Sequence, residues 1–511
     1  MKNPRETKLR TADEAVSEIA DGSTLVTGGF VGAAHPEALT AALERRFLNS
    51  QKPLNLTLVY AAGQGDGVKR GLNHLAHEGL VSRVIGGHWG LAPGMGKLAI
   101  ENKIEAWNFP QGVMCHLMRD IAAGKPGTLT HIGLDTFVDP IHEGGKINSR
   151  TTGDLVERIE IAGRTWLLYR SFPIQVGLIR ATAADSRGNL SMSEEVISGE
   201  VLAIAQAVRN SGGLLIAQVK HLREEPTPPH QVEVPGILVD RIVHAEGDEH
   251  DQTFATKVNR AFISPPDSMA SAFSPLPPGP RRIIASRAAE EIRPDDIANL
   301  GIGMPEGIAS VAAERGLLDR FTLTIESGPI GGAPAGGLDF GASFHPDAIV
   351  DQPAQFDFYD GGGLDFAALG AAQIDRQGNV NVSRFGNRIA GAGGFINITQ
   401  TAKRIVFCGT FTTGGLEVAF EQGSLRILNE GKNKKFVEAV QQITFSGPLA
   451  VDSGRPVLYV TERAVFRLTR EGLELIEVAP GIDLETQLLA HMDFRPIIRN
   501  IRPMELHHFQ K

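Results

Sequence analysis

Three stretches of this chain recur in the same order, and a repeat of that kind describes two copies of one fold. Thr27-Gly28-Gly29-Phe30-Val31-Gly32, leading to His35-Pro36-Glu37, resembles Asn299-Leu300-Gly301-Ile302-Gly303-Met304-Pro305-Glu306. Leu56 to Gly67 runs in step with Phe321 to Gly332, which sets Ala61 opposite Glu326. Asp185-Ser186-Arg187-Gly188-Asn189 resembles Asp375-Arg376-Gln377-Gly378-Asn379. Each copy opens with an apolar strand, Ser23 to Thr27 or Asp296 to Leu300, then a glycine loop, then Pro-Glu entering a helix. The helices place Ala38, Leu39, Ala42 and Leu43, or Ile308, Val311 and Ala312, at helical spacing on one face. Strand, loop and helix in this order predict two α/β domains, with the shape of a phosphate or oxyanion cradle at each glycine loop.

A chain of 511 residues is long enough for two such cores. Residues 264–280 carry six prolines that hold the backbone extended, which predicts a first domain at 1–263, a linker at 264–280 and a second domain at 281–511. The first copy is longer between its landmarks, by an insertion of about 75 residues. Insertions of this kind shape substrate sites. The start is polar, no long uncharged apolar run is present, and Cys115 and Cys408 match no metal or redox spacing, so a cytoplasmic enzyme is expected. A net charge of -9 speaks against nucleic acid, and the short run Lys432-Asn433-Lys434-Lys435 reads as solvated surface.

Glu326 stands where the apolar run Thr322-Leu323-Thr324-Ile325 breaks into Ser327-Gly328-Pro329-Ile330-Gly331-Gly332. A glutamate at a strand end is more often an ion-pair or capping partner than a catalytic group. The glycines after it favour chemistry, because they leave a carboxylate uncrowded and supply backbone N–H groups for an oxyanion. The loop Gly301-Ile302-Gly303 is no Walker motif, and a tight turn into a helix explains it as well as binding does. His74 and His77 could share a helix face but lack a third ligand, so packing is expected; His507 and His508 read as tail. No Gly-x-Ser-x-Gly elbow occurs.

Glu326 to Gly332, Asn299 to Glu306, and Gly378 to Gly386 leading to Gly391-Ala392-Gly393-Gly394-Phe395-Ile396-Asn397 resemble the family I CoA-transferases, nearest to the propionate CoA-transferases. The likeness extends from Gly28 to Leu484. It implies a fused pair of open α/β domains of the NagB/RpiA/CoA-transferase type. It implies that Glu326 becomes acylated and then thioesterified by CoA, with Gly301, Ile302 and Gly303 as the oxyanion and CoA loop. Asn379, Gly391, Gly393 and Gly394 are implied CoA contacts, and Gln111 is implied to meet the substrate carboxylate.

The resemblance further implies CoA as cosubstrate, no metal and no tightly bound cofactor. Partners would be acyl-CoA and short-chain acids of the acetate, propionate, butyrate and lactate class, with a homo-oligomer, a tetramer, as the assembly. No nucleic acid and no membrane partner is expected. Two other readings stand beside this one: an acyl-CoA hydrolase on the same scaffold, and a non-catalytic ligand sensor or sugar-phosphate isomerase, since fold does not fix function.

Overall fold

Parallel strands with both faces covered read as continuous apolar runs, and Val176–Ala184 is buried at every position. It lies inside the larger sheet of the first of two compact units. The computed structural model describes residues 4–245, 247–265 and 273–509. The first unit comprises Met1–Asp267, Ile325–Asp357 and Asn387–Asn397; the second comprises Ser268–Thr324, Phe358–Gly386 and Ile398–Lys511. The units thus depart from the halves expected at 1–263 and 281–511, because two segments of the second half pack within the first unit. Of the expected linker, residues 266–272 lie outside the described residues, and a helix begins already at Pro280.

The N-terminal segment of the first unit carries the strands β1 (Leu9–Arg10), β2 (Thr24–Thr27), β3 (Leu56–Tyr60), β4 (Val81–Gly86), β5 (Glu105–Asn108), β6 (Gly127–Thr130), β7 (Val156–Ile161), β8 (Arg164–Arg170), β9 (Val176–Ala184), β10 (Leu190–Ser191), β11 (Leu214–Leu222) and β12 (Arg241–His244). Its main sheet runs β1-β12-β11-β9-β2-β3-β4-β5, with β10 folded back on β9. Its helices include α1 (Ala12–Ser17), α2 (Glu37–Ser50), α3 (Gln111–Ala122) and α4 (Val201–Asn210). Thr11 and Glu14 form a reciprocal capping box that starts α1. Helix α2 buries the expected Ala38, Leu39, Ala42 and Leu43. The insertion supplies β4, β5, α3 and the antiparallel sheet β6-β8-β7.

In the second unit the corresponding strands are β13 (Asp296–Leu300), β14 (Phe321–Thr324), β15 (Phe366–Gly370), β16 (Gln373–Ile374), β17 (Val380–Asn381), β18 (Ile405–Cys408) and β19 (Val457–Val460), with α5 (Gly307–Glu314) following β13. The parallel order β14-β13-β15-β18-β19 repeats β3-β2-β9-β11-β12 of the first unit. The register repeats too. Gly28 N–H donates to the Leu178 carbonyl at 3.1 Å, and Gly301 N–H to the Ala368 carbonyl at 2.8 Å. The chain therefore consists of two homologous open α/β halves, as the repeat predicted. Both cysteines are buried thiols, and burial pushes Cys408 up to about 12. Among the described residues no helix is long and apolar enough to cross a membrane.

Candidate active site

The turn that carries Glu326 begins two residues before it. Strand β14 ends at Thr324, and Ile325 then closes a tight turn in which Ile325 N–H donates to the Pro329 carbonyl and Gly328 N–H to the Ile325 carbonyl, each at 3.0 Å. Ser327 Oγ donates to the Gly341 carbonyl at 2.7 Å, and Gln355 Nε2 to the Ile325 carbonyl at 3.1 Å. The glycines of this motif are fixed by close approach of backbone. At Gly328, with φ +128°, a Cβ would lie 2.2 Å from the Val350 carbonyl; at Gly331 it would lie 2.0 Å from Asp347 Oδ2, and at Gly332 2.3 Å from the Phe344 carbonyl. Their first task is thus to seat the turn, a role that the expectation of N–H donors alone did not include. Glu326 itself is partly buried.

Gln111 opens helix α3 and is 2 % exposed. Its backbone N–H donates to the Gly393 carbonyl at 2.9 Å, and Gly393 N–H donates to the Gly87 carbonyl at 2.8 Å. Ala392 N–H donates to Asn108 Oδ1 at 2.9 Å. Gly391, at φ +83°, pairs with His88 so closely that a Cβ would stand 2.9 Å from the His88 Cα. Gln111, Gly391, Gly393 and the adjoining Gly394 therefore form one neighbourhood of the first unit. The buried Gln111 Nε2 has no hydrogen-bond partner among the described residues, and such an amide is costly to leave unpaired.

This neighbourhood is linked to the Glu326 turn through its packing. Gly112 N–H donates to Asn397 Oδ1 at 3.1 Å, and a Cβ on Gly112 would lie 2.5 Å from the Phe356 ring. Phe356 follows Gln355, which holds the carbonyl of Ile325. Two helical turns further on, Arg119 makes a two-pronged ion pair with Asp357, both contacts at 2.7 Å. His116 and Arg119 hold the Asp357 carboxyl well below the usual range against the opposing effect of burial.

Gly301, Ile302 and Gly303 belong to the second unit. Asn299 on β13 lies opposite Thr324 on the parallel strand β14, so the loop leaves one strand where its neighbour ends. Among the described residues, none accepts a hydrogen bond from the backbone N–H of Ile302 or Gly303. In the register set by Gly28 and Gly301 the first-copy counterparts are Gly29 and Phe30, and Phe30 N–H is taken up by the Ala33 carbonyl at 2.9 Å.

Asn379, which the resemblance implies as a CoA contact, is tied into the fold around it. It is 4 % exposed. Its Nδ2 donates to Asp375 Oδ2 at 2.9 Å and its Oδ1 accepts from Gly447 N–H at 2.9 Å, which leaves the amide committed to its own turn. His508 departs from expectation: at 1 % exposure, with Nδ1 3.0 Å from Ser286 Oγ, it is packed structure, not free tail. His74 and His77 do pack, against Glu37 and Glu44. A cavity of about 810 Å³ lies between the Arg376–Gln377 turn and Phe494 in the second unit and includes none of the expected site residues.

Sequence reasoning missed His88. Its ring lies beside Gln111 and Gly393, and the visible signal was its place inside Gly86-Gly87-His88-Trp89-Gly90. Glu200, 2 % exposed, was missed as well; burial pushes its carboxyl up to about 8.

The coenzyme A transferase family model matches residues 9–245. Over 491 residues the chain is 43% identical to the acetate CoA-transferase YdiF of Escherichia coli strain K12, covering 96% of this chain and 92% of that one. It is 43% identical to the caffeate CoA-transferase of Acetobacterium woodii, covering 96% and 95%. The crystal structure of the E. coli O157:H7 acyl-CoA transferase YdiF as a thioester complex with CoA matches with a TM-score of 0.93 at 41% identity, covering 100% of this chain and 98% of that one. The chain belongs to the coenzyme A transferase family, and it is an enzyme that transfers CoA.

Proposed function

We propose that this enzyme moves CoA between a short-chain acyl-CoA and a free monocarboxylic acid, by a ping-pong route through Glu326. The observation that carries this reading is the asymmetry of the two strand ends. Glu326 stands where the first copy has Ala61, and the loop N–H of Gly303 is uncommitted where that of its counterpart Phe30 is used. Nucleophile and donors thus belong to the same copy.

In the first half-reaction a Glu326 carboxylate oxygen attacks the thioester carbonyl, the C–S bond breaks, and CoA leaves as thiolate from an acyl-glutamyl anhydride. The thiolate then attacks the Glu326 carbonyl carbon, releasing the first acid as carboxylate and leaving a glutamyl-CoA thioester. A second acid reverses these steps. The C–S bond breaks and re-forms while the free energy of the thioester is kept, so neither ATP nor a metal is required, and by resemblance the donors of the Gly301 to Gly303 loop serve each oxyanion. Gly391, Gly393 and Gly394 allow the pantetheine chain to lie close to backbone. Gln111 Nε2, buried and unpaired, donates to the acid carboxylate.

A neutral amide suits one carboxylate and leaves a second without a cation, so acetate, propionate, butyrate and lactate are preferred to dicarboxylates. Acetate and caffeate, in the names of the two relatives, are monocarboxylates as well. We further read the enzyme as a cytoplasmic homo-oligomer, a tetramer, which light scattering would test. Incubation with acyl-CoA and no acceptor tests the mechanism: intact mass should rise by CoA less one water at Glu326, and borohydride should fix the modification with loss of activity. Hydrolysis without adduct would mark a thioesterase, and neither adduct nor hydrolysis nor CoA binding would revive the sensor.

A further inference from the structure

We propose that His88 is a second hydrogen-bond donor to the carboxylate of the acid substrate, paired with Gln111; this rests on the reading just given. The ring occupies space left by three glycines from three separate segments. A Cβ on Gly63 would lie 2.4 Å from His88 Nδ1, one on Gly90 3.0 Å from Cε1 and 3.4 Å from Nε2, and one on Gly393 3.7 Å from Cδ2. The same point above Gly393 lies 3.8 Å from Gln111 Oε1, so imidazole and amide flank one spot. No described residue hydrogen-bonds the His88 ring, and the ring is only partly buried.

A carboxylate has two oxygens and about four lone-pair sites, and one amide N–H leaves most of them unserved in a buried place. Two neutral donors answer that need better than an arginine would. A full cation would hold the acid tightly and lower the nucleophilicity of the very oxygen that must attack the glutamyl thioester. Burial, with the Arg388 charge adding to it, holds the His88 imidazole down at about 4; the neutral ring offers a single N–H. Gly63 completes the arrangement. It lies two residues beyond Ala61, the first-copy counterpart of Glu326, so the strand end that lacks the acid makes room for the histidine that holds the substrate.

The test uses enzyme charged as the glutamyl-CoA thioester and freed of acid by desalting. Discharge is then followed with propionate and, separately, with hydroxylamine, a neutral nucleophile that needs no carboxylate grip. His88→Phe keeps a ring over the glycines without an N–H, and should discharge with propionate at least about tenfold more slowly while hydroxylamine discharge stays within about twofold. His88→Gln should recover most of the propionate rate. Gly63→Ala, which displaces the ring, should repeat the selective loss if His88→Phe does not fold. Unchanged propionate discharge in His88→Phe, or equal loss with both nucleophiles in either variant, would overturn the proposal. Failure of the wild-type enzyme to form a thioester would instead count against the Glu326 mechanism.

Discussion

Asn189 and Asn379 hold the same post in the two halves. Each donates its amide to an aspartate four residues earlier, Asp185 at 3.0 Å or Asp375 at 2.9 Å. Each accepts a glycine N–H from a distant loop, Gly236 at 2.8 Å or Gly447 at 2.9 Å. The glycines are equally crowded, with a Cβ falling 2.6 Å from the Arg187 carbonyl or 2.1 Å from the Gln377 carbonyl. The motif is a clamp that ties a hairpin turn to the segment passing over it. Asn189→Ala and Asn379→Ala should each destabilise by about 1–3 kcal/mol, leaving one buried glycine N–H unanswered. Thermal unfolding would show it, and KM for acyl-CoA should stay within about twofold; a raised KM with unchanged unfolding would return Asn379 to the binding site.

Replacing the proposed nucleophile should separate chemistry from folding. Glu326→Ala should lower kcat by at least about a thousandfold with an unchanged unfolding midpoint, and Glu326→Asp should come close to it because the oxygen is withdrawn by about an ångström. Retention of more than a few per cent of activity in Glu326→Ala would mean that another group attacks.

Backbone crowding predicts a different pattern beside it. Gly328→Ala sets a methyl against the Val350 carbonyl at positive φ and should cost about 2–4 kcal/mol, whereas Gly337→Ala, at φ +63° with open space around it, should cost about 1 kcal/mol. Differential scanning calorimetry on both variants checks the difference.

Gln111→Ala should raise KM for the free acid by about tenfold with little change in CoA affinity, and the wild-type enzyme should use propionate faster than succinate. A preference for succinate would place the carboxylate elsewhere.

The network of His74, Glu37 and Glu44 gives the first unit a pH dependence with a definite sign. Burial opposes the charge on His74, but hydrogen bonds from it to Glu37 and Glu44 prevail and raise its pKa above 6.5. Its stabilisation is therefore complete below 6.5 and lost as pH rises through the folded value. For Glu37, burial is outweighed by the His74 hydrogen bond and by the His35 and His74 charges, ending at about 2. That contribution is present above 4.5 and lost as pH falls toward 2. In His74→Gln the decline in unfolding midpoint from pH 6 to about 9 should flatten; an unchanged slope would remove His74 from the account.

The duplication was readable because its landmarks are local: Asp-x-x-Gly-Asn closes a turn and a clamp within a few residues, and a strand followed by Pro-Glu announces a helix. Glu326 was readable because a lone acid replaces Ala61 in an otherwise matched stretch. The division into units was not, because it depends on pairs such as Gly112 with Asn397 and Arg119 with Asp357, which no local pattern encodes. The bonds that hold Asn379 were not legible either. A polar residue in a glycine-rich turn satisfies backbone as readily as it binds ligand, and only the positions of Asp375 and Gly447 decide which.

The interleaving of the first unit also sets a timetable for synthesis. Its sheet is fully translated by His244, yet the turn that seats Glu326 and the strip through Gly391 and Gly393 come from Ile325–Asp357 and Asn387–Asn397. About 130 residues separate Asp267 from Asn397, which is roughly ten seconds of elongation. For that interval the nascent unit exposes the faces of Gln111 and Phe30 that Gly393 and Phe340 later cover. Until those segments emerge the first unit stays open, so during translation the N-terminal half has to wait for its own late-made parts.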